Sequence, residues 1–405
     1  MSMDDVEIPQ YFICPISLQI MKDPVTIVTG ITYDRESIEQ WLSADPNTCC
    51  PVTKQPLPKD FDLTPNHTLR RLIQAWCVTN AANGVDRIPT PKSPLNNIHI
   101  LKLLQDLWCP QLQSKALRRL VSLAAENERN RKCMMEAGVA KAMVSMIIAC
   151  YKKNVIDGVR EALNVLSIIS IPIAEINLFI YDFFDSIAWV LRRGKANHVE
   201  LKTDALLVLK SVVELVCSSL LERLKPDFIV AILEVLRYNL SPQANKAALQ
   251  VMLDACPWGR NKVKIIEAGA VFDLIELDLS WPDKRTSELN FCILDHLCSC
   301  ADGRANFLAH PAGIAMVTKK IFRVSPLTDD RAVRILASIC KFSATNEVLQ
   351  EMLNVGAVAK LCMVLQADTS SNVKEKARDV LRLHNNIWGN SPCIQLYLLT
   401  RFPAS

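Results

Sequence analysis

Histidine is scarce, six in 405 residues, and aromatic side chains make up only 6% of the chain. So few imidazoles leave metal chemistry little to work with. No His-Glu-x2-His, Gly-rich phosphate loop or local Ser/His/Asp set occurs either. Long apolar runs are also missing. The most apolar stretch, ALNVLSIISIPIAEINLFIYDFFDSIAWVL, is broken by Asn164, Pro172, Glu175, Asn177, Asp182 and Asp185. No membrane crossing, which takes about 20 apolar residues, is expected. The N-terminus, MSMDDVEIPQ, is acidic and lacks the apolar segment of a secretory leader. Charge is weakly uneven: residues 1–80 hold 6 Lys/Arg against 10 Asp/Glu, a net of −4, which leaves +8 for the remainder. Neither part is extreme enough to argue for nucleic acid.

What the chain does have is aliphatic mass and thiols. Hydrophobic residues make up 50% of it, enough for a large core built from Leu, Ile, Val and Ala. The fifteen cysteines sit singly in apolar runs such as NFCILDHLCSC, as small buried hydrophobes do in a reducing compartment. A cytoplasmic or nuclear protein is expected. Around residues 81–97 the stretch NGVDRIPTPKSPLNN has three prolines, a glycine and no apolar face, which reads as a linker.

Beyond the linker the sequence repeats. MMEAGVAKAMVSMI, IIEAGAVFDLIEL, LAHPAGIAMVTKKI and MLNVGAVAKLCMVL align on Gly138, Gly269, Gly313 and Gly356, with gaps of 131, 44 and 43. A second series places Ala116, Ala162, Ala205 and Ala248 at spacings of 46, 43 and 43. A helical period near 43 is the length of an armadillo or HEAT unit, in which each repeat buries its apolar face only against its neighbours. Residues 98–390 have room for about six or seven units, with boundaries blurred between 170 and 260, followed by a tail over 391–405. Each glycine is expected at a chain reversal that tolerates no side chain. Most apolar positions in such an array are core, and function is expected in its groove. Nuclear-import receptors line that groove with Trp-x3-Asn, whereas the sole example here, Trp76 to Asn80, precedes the array.

The first eighty residues form a different unit. CPISLQIMKDPV and CCPVTKQPL both open on Cys-Pro-hydrophobic, the layout of a zinc-binding cross-brace. Such a module needs about eight Cys/His ligands in short pairs. Only Cys14, Cys49, Cys50, Cys77 and His67 are present, with no Cys-x2-Cys, so no metal is expected. DPVTIVTGITY reads as a β-hairpin around Thr29-Gly30. YDRESIEQWL reads as a helix with Asp34 as candidate N-cap and Ile38, Trp41 and Leu42 on one face. In LTPNHTLRRLIQAW, Leu69, Leu72, Ile73 and Trp76 share a face at i, i+3, i+4 and i+7.

In these motifs residues 8–77 resemble the U-box, a relative of the RING finger in which hydrogen bonds, salt bridges and packing replace zinc. A U-box before armadillo repeats is similar to the plant U-box/armadillo ubiquitin ligases. The resemblance implies a mainly α fold: an armadillo solenoid preceded by a small zinc-free α+β domain over residues 8–80. It also implies an enzyme, a RING-type ubiquitin-protein ligase without a covalent intermediate or cofactor. Its partners would be a ubiquitin-conjugating enzyme, ubiquitin and a protein substrate in the armadillo groove, and its setting stress and immune signalling. A homodimer through the U-box stays open.

Carried over by motif, Ile16 and Leu18 on the first loop, Trp41 on the helix and Pro51 on the second loop would bind the conjugating enzyme. Lys54 stands where a cation positions ubiquitin, although it lacks the planar fork of the Arg often found there. Cys14 and Cys49 are expected as buried structural thiols, since no sequence-local His activates them. Tyr33 and Asp34 are read as fold determinants. The alternative function is a non-catalytic armadillo adaptor with a degenerate head. Retention of Ile16 and Pro51 speaks against it, since a degenerate head should lose its apolar loop residues first.

Overall fold

β-Branched residues on both sides of Thr29-Gly30 fold as the hairpin their alternation predicts. In the computed structural model of the chain, β1 (Pro24–Thr26) pairs antiparallel with β2 (Thr32–Asp34) in the register Val25 to Tyr33. Gly30 turns the chain with φ 80°, a conformation glycine enters without penalty. Residues 8–44, 49–58, 61–81, 95, 97–169, 171–172, 177–193, 199–280 and 282–395 are described. Most of the expected linker, and the tail beyond residue 395, lie outside them.

Two compact units divide the chain, one up to residue 94 and one from Leu95. In the first, α1 (Arg35–Ala44) follows β2 directly, and a third strand, β3 (Thr64–Pro65), pairs with β1 before α2 (His67–Thr79). Asn66 caps α2 by accepting from the Leu69 N–H. The core holds Phe12, Val25, Tyr33, Ile38, Ile73 and Cys77. Leu72, expected inside, is 52% exposed. The inward stripe of α2 is instead Leu69, Ile73, Trp76 and Cys77, because the helix rests its other edge against Phe12, whose ring lies 5.8 Å from Trp76.

The second unit is a stack of helices. Short first helices, such as α12 (Asn261–Glu267), α15 (Ala301–Ala309) and α18 (Asn346–Asn354), lead into a layer of second helices. That layer comprises α6 (Val139–Lys153), α8 (Ile180–Arg192), α10 (Pro226–Arg237), α13 (Ala270–Leu279), α16 (Gly313–Lys320) and α19 (Ala357–Gln366). A layer of third helices packs side by side in chain order: α4 (Gln113–Glu126), α7 (Val159–Ile168), α9 (Val199–Leu215), α11 (Pro242–Ala255), α14 (Lys284–Cys298), α17 (Pro326–Phe342) and α20 (Ser371–Leu383). Ala116, Ala162, Ala205 and Ala248 are all buried in this layer, where a methyl lets neighbouring helices approach. The described residues include α3 (Asn97–Asp106) and α5 (Glu128–Glu136) as well.

The glycine markers split into two kinds. Gly269 has φ 84° at the junction of α12 and α13, with nothing closer to a would-be Cβ than Arg237 at 3.6 Å. Its requirement is conformational, not one of space, which corrects the expectation from crowding. Gly313 is the reverse: its φ is ordinary, but a Cβ would meet the Phe307 carbonyl at 2.7 Å. Between 170 and 260 the marker fades because α10 and α11 each open on a proline at the first turn, after Lys225 and Ser241, in place of a glycine junction.

Side chains reach back one repeat to cover backbone carbonyls. Asn261 Nδ2 donates to Leu221 O and Lys264 Nζ to Leu224 O, both at 2.7 Å, and Ser338 Oγ donates to Cys298 O at 2.8 Å. Each bond spans 40 residues. No single described helix is long and apolar enough to cross a membrane.

Candidate functional site

Two hexapeptides, Cys14-Pro-Ile-Ser-Leu-Gln19 and Cys50-Pro-Val-Thr-Lys-Gln55, fold as copies of one turn. In the first, Cys14 N–H donates to Gln19 O at 2.8 Å and Leu18 N–H to Cys14 O at 2.9 Å. In the second, Cys50 N–H donates to Gln55 O and Lys54 N–H to Cys50 O, both at 2.9 Å. Antiparallel bridges flank each, Ile13 to Ile20 and Cys49 to Pro56. Leu18 and Lys54 take the left-handed conformation that closes the turn.

Consecutive residues at the end of β2 hold both turns. Tyr33 Oη lies 3.2 Å from Cys50 Sγ and accepts from Val52 N–H at 3.3 Å, while Asp34 N–H donates to Cys14 Sγ at 3.3 Å. Cys50 Sγ also accepts from Thr29 Oγ1 and Thr53 N–H, each at 3.4 Å. Burial pushes the Cys50 thiol up, but these donors outweigh it and lower it to about 6. The same balance, with Ser17 and Asp34 as the main donors, lowers Cys14. Burial, with the bond to Cys50, raises the Tyr33 phenol. Cys14 and Cys50 are 0% exposed, so neither can reach a thioester in solution, and Cys49 is half-buried. The sulfurs act as hydrogen-bond acceptors where a cross-brace would have ligands. Among the described residues no three His, Cys, Asp or Glu side chains come together as a metal set.

Asp34 differs from its expected role as an N-cap. Its Oδ1 accepts the N–H groups of Lys22 and Asp23, both at 2.8 Å, which ties the approach to β1 onto β2. Asp23 in turn receives Arg35 Nε at 2.6 Å and Arg70 Nη1 at 3.3 Å, joining α1 and α2. These bonds fix α1 beside the turns. Ile38 faces inward with no exposure, while Trp41 stays half-exposed, its indole N–H donating to Cys49 O at 3.0 Å. Lys54 Nζ lies 5.6 Å from the Trp41 ring centroid, within range of a cation–π contact.

Of the residues singled out by sequence, Trp41, Pro51 and Lys54 therefore meet at the second turn, and Ile16 and Leu18 lie on its copy. Leu18 is 76% exposed, whereas Ile16 leans partly on the core. Val52, 51% exposed beside Pro51, is an apolar surface residue that sequence reasoning missed. Aligning the two hexapeptides sets Val52 against Ile16 and would have found it. The site is an exposed apolar surface with one mobile cation and no buried nucleophile within reach. It can bind and orient another protein.

Comparison with known proteins agrees with this geometry. Residues 8–82 match the U-box domain, and residues 99–404 match the plant U-box protein ARM repeat region. E3 ubiquitin-protein ligase PUB23 of Arabidopsis thaliana is 42% identical, covering 99% of this chain and 98% of its own length. E3 ubiquitin-protein ligase PUB22 of the same plant is 40% identical over 99% of both. Among solved structures, a β-catenin from a study of its interaction with cadherin covers 78% of this chain and 58% of its own, with TM-score 0.57 and 12% identity. An engineered protein covers 71% and 68%, with TM-score 0.53 and 18% identity. These two support the helical-repeat fold alone. The chain belongs to the plant U-box family with an armadillo-repeat region, and is an E3 ubiquitin-protein ligase of the U-box type.

Proposed function

We propose that the two turns and α1 dock a ubiquitin-charged conjugating enzyme through Ile16, Leu18, Trp41 and Pro51, while the helical array holds the protein substrate. Lys54 orients the donor ubiquitin. The amine of a substrate lysine attacks the thioester carbonyl; an isopeptide bond forms, the carbon–sulfur bond breaks, and the conjugating enzyme's thiol leaves with a proton. No ligase-bound ubiquitin intervenes. Rate comes from proximity and from restraint of the donor in a reactive posture.

The observation that carries this reading is the 76% exposure of Leu18 on a turn rigidly held by hydrogen bonds. An apolar side chain kept in water by a well-ordered loop is characteristic of a binding surface. Fifteen free thiols support a reducing compartment, the cytoplasm or nucleus, and family membership supports a role in stress and immune signalling.

The test is ubiquitination in vitro with activating enzyme, a panel of conjugating enzymes and ubiquitin, comparing the wild-type chain with Ile16→Ala and Pro51→Ala. Both variants are expected to lose chain formation while unfolding cooperatively. Unchanged chain formation in both would remove the docking assignment.

A further inference from the structure

An open cavity of about 580 Å³ lies across four third helices of the array, α9, α11, α14 and α17. Its lining includes Glu214, Gln250, Asp254, Trp258, His296 and Arg331. Charges around it are mostly matched within the protein. Glu214 pairs with Lys210 at 3.5 Å. Arg331 gives Nη1 to Asp295 at 2.8 Å, and Arg334 gives Nε to the same carboxylate oxygen at 2.8 Å. Asp330 lies 3.9 Å from Arg331 Nε. His296 is held below its usual value, first by burial and then by the cations Lys262, Arg331 and Arg334 against the pull of Asp295, so it stays neutral near pH 7.

Asp254 is the exception. Its Oδ1 accepts from Gln250 Nε2 at 2.9 Å, but Oδ2 is shut off from solvent with no hydrogen-bond partner among the described residues. A carboxylate oxygen in that position is costly until a donor reaches it. Trp258, 40% exposed, offers an indole at the same cavity, the preferred aromatic for a cation. The opposite wall has the complementary defect: Arg331 Nε is buried and lacks a hydrogen-bond acceptor. One unsatisfied anion, one aromatic surface and one unsatisfied donor thus face a single space.

We infer that this cavity takes a basic side chain of an extended protein segment, its ammonium or guanidinium meeting Asp254 beside Trp258 and a main-chain carbonyl accepting from Arg331. Such a segment satisfies both orphaned atoms at once. A free polyamine satisfies Asp254 alone, and an acidic segment satisfies only Arg331 while meeting Glu214 and Asp254 with like charge. The inference rests on the reading of the array as the substrate-holding part and gives that substrate a chemistry: a lysine- or arginine-bearing stretch in contact with α11 and α17.

The experiment is fluorescence anisotropy with the full-length chain and a fluorescein-labelled octapeptide of alternating Lys and Gly, beside an alternating Glu and Gly octapeptide and spermine as competitor. The Lys-Gly peptide is expected to bind saturably, and Asp254→Asn and Trp258→Ala are each expected to weaken it at least fivefold with unfolding midpoints unchanged. The Glu-Gly peptide is expected not to bind. Wild-type affinity in Asp254→Asn, no binding of the Lys-Gly peptide, or a preference for Glu-Gly would overturn the inference. Displacement by spermine at concentrations equal to the peptide would assign the cavity to a free polyamine and overturn the peptide occupant. If either variant fails to fold, Glu214→Gln is expected to weaken binding in the same direction, and an unchanged affinity there overturns the inference. Self-ubiquitination by the wild-type chain, followed in parallel, reports on the ligase reading, so failure of one is told apart from failure of the other.

Discussion

Leu18 and Lys54 occupy the same place in two copies of one turn, with φ of 55° and 60°, and each donates its N–H to the carbonyl of the cysteine four residues earlier. A backbone requirement has thus been met twice with residues that pay roughly 1–2 kcal/mol for the left-handed conformation. Glycine would have been easier to accommodate. Both side chains point out of the fold, one apolar and one cationic, which is the pattern of positions kept for contact.

That pattern separates stability from activity. Lys54→Gly and Leu18→Gly are each expected to leave the thermal midpoint unchanged or raise stability by up to about 1 kcal/mol. Ubiquitin-chain formation is expected to fall in both. Paired calorimetry and ubiquitination assays check this, and a drop in stability with intact activity would count against it.

The second turn hangs on Tyr33 and Cys50. Tyr33→Phe leaves the Val52 N–H without its acceptor and is expected to cost about 1–3 kcal/mol, since a part-buried backbone donor goes unpaired. Amide exchange at Val52 and Thr53 should quicken most. The same site sets a pH dependence. Cys50 is lowered to about 6 in the fold, against about 8.5 for an unfolded thiol. Its contribution to stability is then full above about pH 8.5 and is lost as pH falls through 6. Thermal midpoints between pH 5.5 and 8.5 should show this slope in the wild-type chain and lose it in Cys50→Ala.

Since Cys14 and Cys50 serve as hydrogen-bond acceptors, a chelator is expected to change neither unfolding nor chain formation. Melting curves with and without excess chelator check it, and a chelator-induced loss of folding would show a metal the cysteine geometry gives no reason to expect.

In the array, Asp278 is fully buried and receives Lys320 Nζ at 2.5 Å and Asn290 Nδ2 at 2.9 Å, joining α13, α14 and α16. Asp278→Ala leaves an ammonium buried and is expected to cost about 3–5 kcal/mol. The double variant Asp278→Leu/Lys320→Met, with no charge left to bury, should recover most of that loss in urea unfolding.

Much of this was legible in the sequence because it is local or periodic. The hairpin follows from β-branched residues around a glycine, and the array from glycine and alanine markers recurring at one spacing. The course of the α2 stripe was not legible, since Leu72 and Cys77 both suit a helix and only packing on Phe12 decides which turns inward. Asp34 was misread because its partners, Lys22 and Asp23, are eleven and twelve residues away on another segment. The cavity around Asp254 was hidden for a related reason. Glu214, Asp254, Cys292 and Arg331 are far apart in the chain, yet they stand about one repeat apart, so the period that reveals the array also carries the position of its groove.

The bonds that reach back 40 residues in the array have a consequence for biosynthesis. Leu221, Leu224 and Cys298 each offer a carbonyl whose cover belongs to the following repeat. At translation rates of about 5–20 residues per second, that cover leaves the ribosome roughly 2–8 s later. A growing array therefore always has one unfinished end, completed in the direction of synthesis. The last of these ends is closed by Trp388, fully buried, whose indole N–H reaches Leu349 O at 3.1 Å. Nascent chains stalled before residue 388 should be the ones chaperones hold longest.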